Sequence, residues 1–184
     1  EAGEENIDWS QKYHYNGLKT KTVSIYNNLN GVLQDVTVYT DLIGTAITAK
    51  PTNADLLLTA KKFVKKSFTD YEGLVKGDEK TNYTINYKAD GTTTETKTTY
   101  YYFLKGSTVA PVVADNQAAT AAQANADSYM TKAVTIRGDD TTKQISYYTG
   151  TEAGEENIDW SQEYNYNGLK TKTVSIYNNL NGVL

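Results

Sequence analysis

The sequence predicts a β-rich α+β fold with two small modules per repeat, each a β-sheet with one packed helix, arranged in line. Three observations point there. Residues 1–33 return as residues 152–184, 151 positions on, with 31 of 33 identical; only the pairs Lys12/Glu163 and His14/Asn165 differ. That is the mark of a tandem array, one full period plus the overlap into the next. Alternating strand patterns fill most of the chain. Sixteen tyrosines and 27 threonines, against three phenylalanines and one methionine, suit pleated, half-wet sheet surfaces rather than a large apolar core.

Residues 1–17 read as the end of a preceding repeat and residues 18–106 as the first module. A strand at 19–26 alternates Thr20, Thr22, Ser24 and Tyr26 with Val23 and Ile25. The NNLNG run at 27–31 is a turn, since Asn and Gly tolerate positive φ, and a second strand follows within 34–47. Residues 53–67 place Leu56, Ala60, Phe63, Val64 and Ser67 on one stripe at helical spacing. Asp55 falls in the first turn, and Lys61, Lys62, Lys65 and Lys66 lie mostly opposite the stripe, so a helix is expected. Strands are expected at 71–76, 82–88 and 94–104, the last two joined by an Ala89-Asp90-Gly91 turn.

Gly, Ser and Pro in residues 106–113 mark the internal boundary. The second module, 107–184, opens on an alanine-rich helix at 115–130 with Asp115 as N-cap. Strands follow at 132–137, 143–149, 158–166 and 170–177. A strand torn from its sheet leaves unpaired backbone groups. The second KTKTVSIY strand is therefore expected to pack on the module before it, as a junction shared by neighbours. Two modules of ~75 residues would make a rod of about 60 Å per repeat.

The net charge of −4 and pI of about 5.1 disfavour nucleic acid and anionic membrane surfaces as partners. No apolar run approaches the ~20 residues that span a bilayer, so membrane insertion is not expected. The absence of cysteine fits an extracellular protein without disulfide staples.

The chemistry-bearing residues are few. His14 is the lone histidine and its counterpart is Asn165, so no catalytic or zinc role is read for it; with no cysteine, zinc, Cys–His and Ser–His–Asp chemistry are excluded. No enzyme activity and no cofactor are expected. Trp9 and Trp160 sit in IDWS motifs near Tyr13, Tyr15, Tyr164 and Tyr166; aromatic platforms stack on sugar rings, which makes these six the candidate glycan site, against a core role for each Trp. Lys61, Lys62, Lys65 and Lys66 are candidate contacts for anionic polymers, against a solvated helix face. Glu152, Glu155, Glu156 and Asp159, with their counterparts Glu1, Glu4, Glu5 and Asp8, could gather calcium. They lack alternating DxDxDG spacing and read better as an acidic loop. An intramolecular Lys–Asn isopeptide bond would suit a cysteine-free stalk, but it needs a buried contact that sequence does not show.

VSIYNNLNGVL, a helix, FTDYEGLV and a closing TETKTTYYYF strand, over residues 22–104, resemble the mucin-binding and mucin-binding-like β-grasp repeats of lactic-acid bacterial surface proteins. The chain departs from that pattern in having Asn27–Asn30 where the family carries an Asp-rich turn. The resemblance implies a β-grasp-like module and a Gram-positive, wall-anchored adhesin that meets host glycans or mucin-type glycoproteins, anchored through a C-terminal region beyond these residues.

Two functions follow as expectations. Either each repeat presents binding sites and the array gains affinity by avidity, or the repeat is a purely structural stalk with no ligand. In both, its partners are neighbouring repeats of its own chain.

Overall fold

The computed structural model describes residues 5–103 and 120–178. They form one open antiparallel sheet of ten strands, ordered as they come in the chain. The strands are β1 (Trp9–Tyr13), β2 (Thr20–Leu29), β3 (Val32–Asp41), β4 (Phe63–Glu72), β5 (Lys80–Tyr87), β6 (Thr94–Phe103), β7 (Tyr129–Arg137), β8 (Thr142–Thr149), β9 (Asn157–Tyr164) and β10 (Thr171–Ile176). The backbone of each strand lies only against its sequence neighbours, so the strands make a single layer, and β1 and β10 are its edges.

This corrects the expected α+β modules and with them the β-grasp architecture. Among the described residues there is no α-helix, only two single 3-10 turns, Leu58–Ala60 and Ala121–Gln123. The helical stripe at 53–67 is broken where Lys61 takes a left-handed φ of 52°. Beyond it Phe63, Val64, Lys65, Lys66 and Ser67 belong to β4. A stripe of five residues is too short to separate a period of 3.6 from a period of 2, and the aromatic and β-branched run FVKKSFTDY takes the strand. Residues 73–79, partly expected as strand, are a loop. Of the alanine-rich segment, Asp115 and the 106/107 boundary lie outside the described residues. The part from Thr120 makes one 3-10 turn with a capping box and then, through Asn125 and Ser128, a side-chain-bonded turn into β7. Polar side chains that compete for backbone bonds favour this over a helix. β6 and β7, on either side, pair from Thr96↔Arg137 to Phe103↔Tyr129.

Alternation divides the side chains between two faces. The front carries Trp9, Val23, Ile25, Tyr39, Phe68, Tyr83, Ile85, Tyr101, Val134, Ile145, Tyr147 and Trp160, by pairing across the strands. The back carries cross-strand Thr and Ser rows, with Thr69–Thr84 at 3.1 Å and Thr98–Thr135 at 2.8 Å. Tyr26, Tyr71, Tyr100 and Tyr148 stand on that face on every second strand. With no second layer, cross-strand pairs are the main source of stability.

Each of the nine pairings contains one bulge, always on the incoming strand shortly after its turn. The extra residues are Lys21, Gln34, Lys66, Asn82, Glu95, Thr131, Lys143, Asp159 and Lys172. All are polar, as a residue withdrawn from the ladder should be, and a bulge in a strand adds to its local right-handed twist. The bulge at Lys21 also moves Thr20 to the front face, where its hydroxyl donates to the Gln11 side-chain oxygen.

A half-period hides inside the long one. Residues 63–100 match residues 140–177 without a gap, β4–β6 onto β8–β10, at an offset of 77. Tyr71/Tyr148, Gly77/Gly154, Glu79/Glu156, Tyr87/Tyr164, Gly91/Gly168 and Tyr100/Tyr177 are identical. The bulges Lys66/Lys143, Asn82/Asp159 and Glu95/Lys172 correspond as well. The hairpin β1–β2 is a third instance, so one hairpin design recurs every four strands. Its turn is the same each time: the amides of Gly17, Gly91 and Gly168 donate to the carbonyls of His14, Lys88 and Asn165, all at 2.9 Å. These glycines have φ of 67–72°, a region that Cβ-bearing residues avoid.

Candidate functional site

The arrangement that bears on function is the repeated segment itself, which lies at both edges of the sheet. β1 pairs with β2 through Trp9↔Ile25, Ser10↔Ser24 and Gln11↔Val23, with the bulge at Lys21. β9 pairs with β10 through Trp160↔Ile176, Ser161↔Ser175 and Gln162↔Val174, with the bulge at Lys172. Offset and register agree at every position, and Gln11–Tyr13 is matched by Gln162–Tyr164, both side-chain amides donating to the tyrosine hydroxyl at 2.6 Å. Contrary to the expectation for the second KTKTVSIY strand, β10 does not itself pack on the earlier strands. Among the described residues it pairs with β9 alone, and β9 makes that contact, pairing with β8 from Gln144↔Glu163 to Thr149↔Asn157. Eight strands therefore form one period. At about 4.8 Å per strand a period advances roughly 38 Å across the sheet, which replaces the expected 60 Å for two modules in line.

Long connections tie strands that are not neighbours. Glu79, before β5, accepts from the Leu33 amide of β3 at 3.0 Å and the Gly77 amide at 2.7 Å. Its counterpart Glu156, before β9, accepts from Met130 N of β7 at 2.7 Å and Gly154 N at 2.9 Å. Partial burial pushes the Glu79 carboxyl up, but the amides of Leu33 and Gly77 outweigh it and leave it below the usual carboxylate value. Each glutamate thus clasps a loop over a strand end.

The glycan candidates do not form one site. Trp160 stacks on Tyr147, with centroids 4.2 Å apart and planes 12° apart. In the same row Lys132 stands 4.8 Å from the Tyr101 ring. Phe68, Tyr83 and Lys97 make a second cluster, with Lys97 4.3 Å from the Tyr83 ring. Sequence reasoning missed Tyr147, Tyr101, Tyr83 and these lysines, because the rows run across strands and leave no trace in local spacing. Trp9 and Tyr13 lie eight strands away from Trp160 and Tyr164, and Tyr15 and Tyr166 project from turns, exposed.

The lysine face is dispersed with the helix that would have carried it. Lys61 sits in the left-handed cap, and Lys62 pairs with Asp55 at 2.5 Å. Lys65 lies on the front 5.3 Å from the Tyr87 ring, and Lys66 is an exposed bulge residue. Among the calcium candidates Glu156 is committed to its two amides. No group of three or more His, Cys, Asp or Glu side chains able to hold a metal ion is present among the described residues.

A groove of about 420 Å³ at the turn end of β5–β10 is lined by Lys88, Glu95, Arg137, Asp139, Lys143 and Tyr166. The Arg137 guanidinium spends itself on backbone, donating to Thr142 O at 2.6 Å and Tyr164 O at 3.0 Å. It staples the turn ends of β7, β8 and β9 rather than pointing at solvent. No α-helix here is long and apolar enough to cross a membrane, among the described residues.

Searches of protein-family models, curated proteins and solved structures find no match to this chain.

Proposed function

We propose that this chain is a length-building repeat of a bacterial cell-surface protein, in which near-identical periods continue one antiparallel sheet and hold binding regions away from the cell. The observation that carries this reading is the shared register of the β1–β2 and β9–β10 hairpins, which makes eight strands a translational unit. Selection for reach rewards many copies, whereas an active site needs one. The exchange of His14 for Asn165 between copies speaks for scaffold rather than chemistry. A cysteine-free, Thr- and Tyr-rich sheet suits an extracellular setting.

A second reading, multivalent presentation to host glycans or mucin-type glycoproteins, draws on the Trp160–Tyr147 stack and the adjoining Lys132–Tyr101 pair. Flat aromatic surface beside a cation is the chemistry that meets sugar rings, and repetition would supply avidity.

Location decides the first reading. Antibodies raised against residues 5–178 should label intact cells of the organism that makes the protein; labelling only after permeabilisation would overturn it. A glycan array decides the second: binding lost in Trp160→Ala supports presentation, and no binding leaves the spacer reading alone.

A further inference from the structure

The two copies of the repeated hairpin are complete on opposite sides. In the first, β2 pairs with β3, and the connection 42–62 lies over the front: Thr20 N donates to Thr45 O, Ile47 N to the Thr20 hydroxyl, and Lys50 pairs with Asp8. Thr20, Thr22 and Val23 are buried, Val23 at 0% exposure. In the second copy β9 pairs with β8 and Ser161 is buried, yet Thr171 and Thr173 are exposed, with Val174 at 55% and Ile176 at 75%. Conversely Ile7, just before β1, is exposed, while its counterpart Ile158 pairs with Tyr148 of β8 and is partly covered. Each copy lacks what the other has.

We propose that the outer side of β10 is an interface for a second copy of this unit, whose counterparts of β3 and of the 42–62 connection seat there as they seat on β2. The occupant is fixed by identity. Thr171, Thr173, Val174 and Ile176 repeat Thr20, Thr22, Val23 and Ile25 in the same register, so the surface that β3 fits is presented again, uncovered. An open strand edge with exposed Val and Ile is a ready template for pairing, and covering it adds backbone bonds and removes apolar surface from water. The junction between periods is then a run of hydrogen-bonded strands with no linker. At that junction one hairpin has β8 on one side and the next period's β3 on the other.

This interface rests on the tandem-repeat part of the proposed function and is independent of where the protein resides. The test compares the 184-residue chain with a longer chain in which residues 34–184 follow Leu184, by amide hydrogen exchange. The β10 amides that face away from β9 should exchange at least about 100-fold more slowly in the longer chain, at rates like those of β2. Unchanged exchange there, with β2–β8 protected in both chains, would overturn the interface. In the longer chain Val174→Asp should abolish the added protection while β2–β8 stay slow; added protection that survives the substitution would overturn the seating of the connection. A protected junction in a protein found only inside cells would leave the interface standing and sink the surface reading alone.

Discussion

The indole of Trp160 lies almost flat on the ring of Tyr147, with centroids 4.2 Å apart and planes 12° apart, across the β8–β9 pairing. Trp9, the same residue one period earlier, lies on edge strand β1 and has Ile25 opposite it on its one neighbour. The stack is worth about 0.5–1.5 kcal/mol beyond the area it buries. Trp160→Ala should therefore lower stability by about 1 kcal/mol more than Trp9→Ala in denaturant titration. Equal losses would mean that the cross-strand stack adds nothing.

Val23 and Val174 give a sharper contrast, because sequence and register are the same and only the covering differs. Val23→Ala removes buried methyl groups between β1 and β3 on the face that the 42–62 connection crosses, and should cost about 2–3 kcal/mol. Val174→Ala should stay within about 0.5 kcal/mol in the 184-residue chain. Similar costs would show that the connection does not cover Val23.

Phe63 opens β4 opposite Asp41 and is almost fully buried. Phe63→Ala should destabilise by about 3–5 kcal/mol. The exposed Lys66→Ala, at a bulge, should change stability by no more than about 0.5 kcal/mol. A large effect at Lys66 would argue that the lysines do share a structured face.

Glu79 supplies a pH dependence. Its native carboxyl lies below the ordinary value of 4.5 because the amides of Leu33 and Gly77 favour the charged form over the cost of burial. A depressed carboxyl stabilises the fold fully above about pH 4.5 and loses that contribution as pH falls through the native value. Glu79→Gln keeps one acceptor and loses a charge-assisted bond, a cost of about 1–2 kcal/mol at pH 7. The gap in melting temperature between the two proteins should close in acid below that window. A gap that persists at pH 2 would mean the carboxylate is not the group that clasps β3.

Nearly every strand was legible locally. Alternation at Thr22–Ile25, the Asp90-Gly91 turn and the TTYYYF run each carry their own signal, and the strands lie close to where those signals put them. The helix at 53–67 was misread because Phe63, Val64 and Ser67 satisfy two periods at once and the tertiary pairing of β4 with β3 and β5 decides between them. The single layer was not legible: nothing in a strand's own sequence says whether its second face meets a helix, another sheet or water. The half-period was hidden because what recurs is a thin set of tyrosines, turn glycines, bulge positions and a clasping glutamate, spaced 77 residues apart among positions that differ. The site followed the same rule. The duplicated hairpin could be read letter by letter, but that one copy is covered where the other is bare depends on which strands lie beside it.

Small-angle scattering on chains of one, two and three periods tests the central claim most directly, that periods join by continuing the sheet. Each added 151 residues should lengthen the maximum dimension by about 38 Å, eight strand spacings, at a nearly constant cross-section. A step near 60 Å, as for beads in line, or a dimension that barely grows, would contradict it.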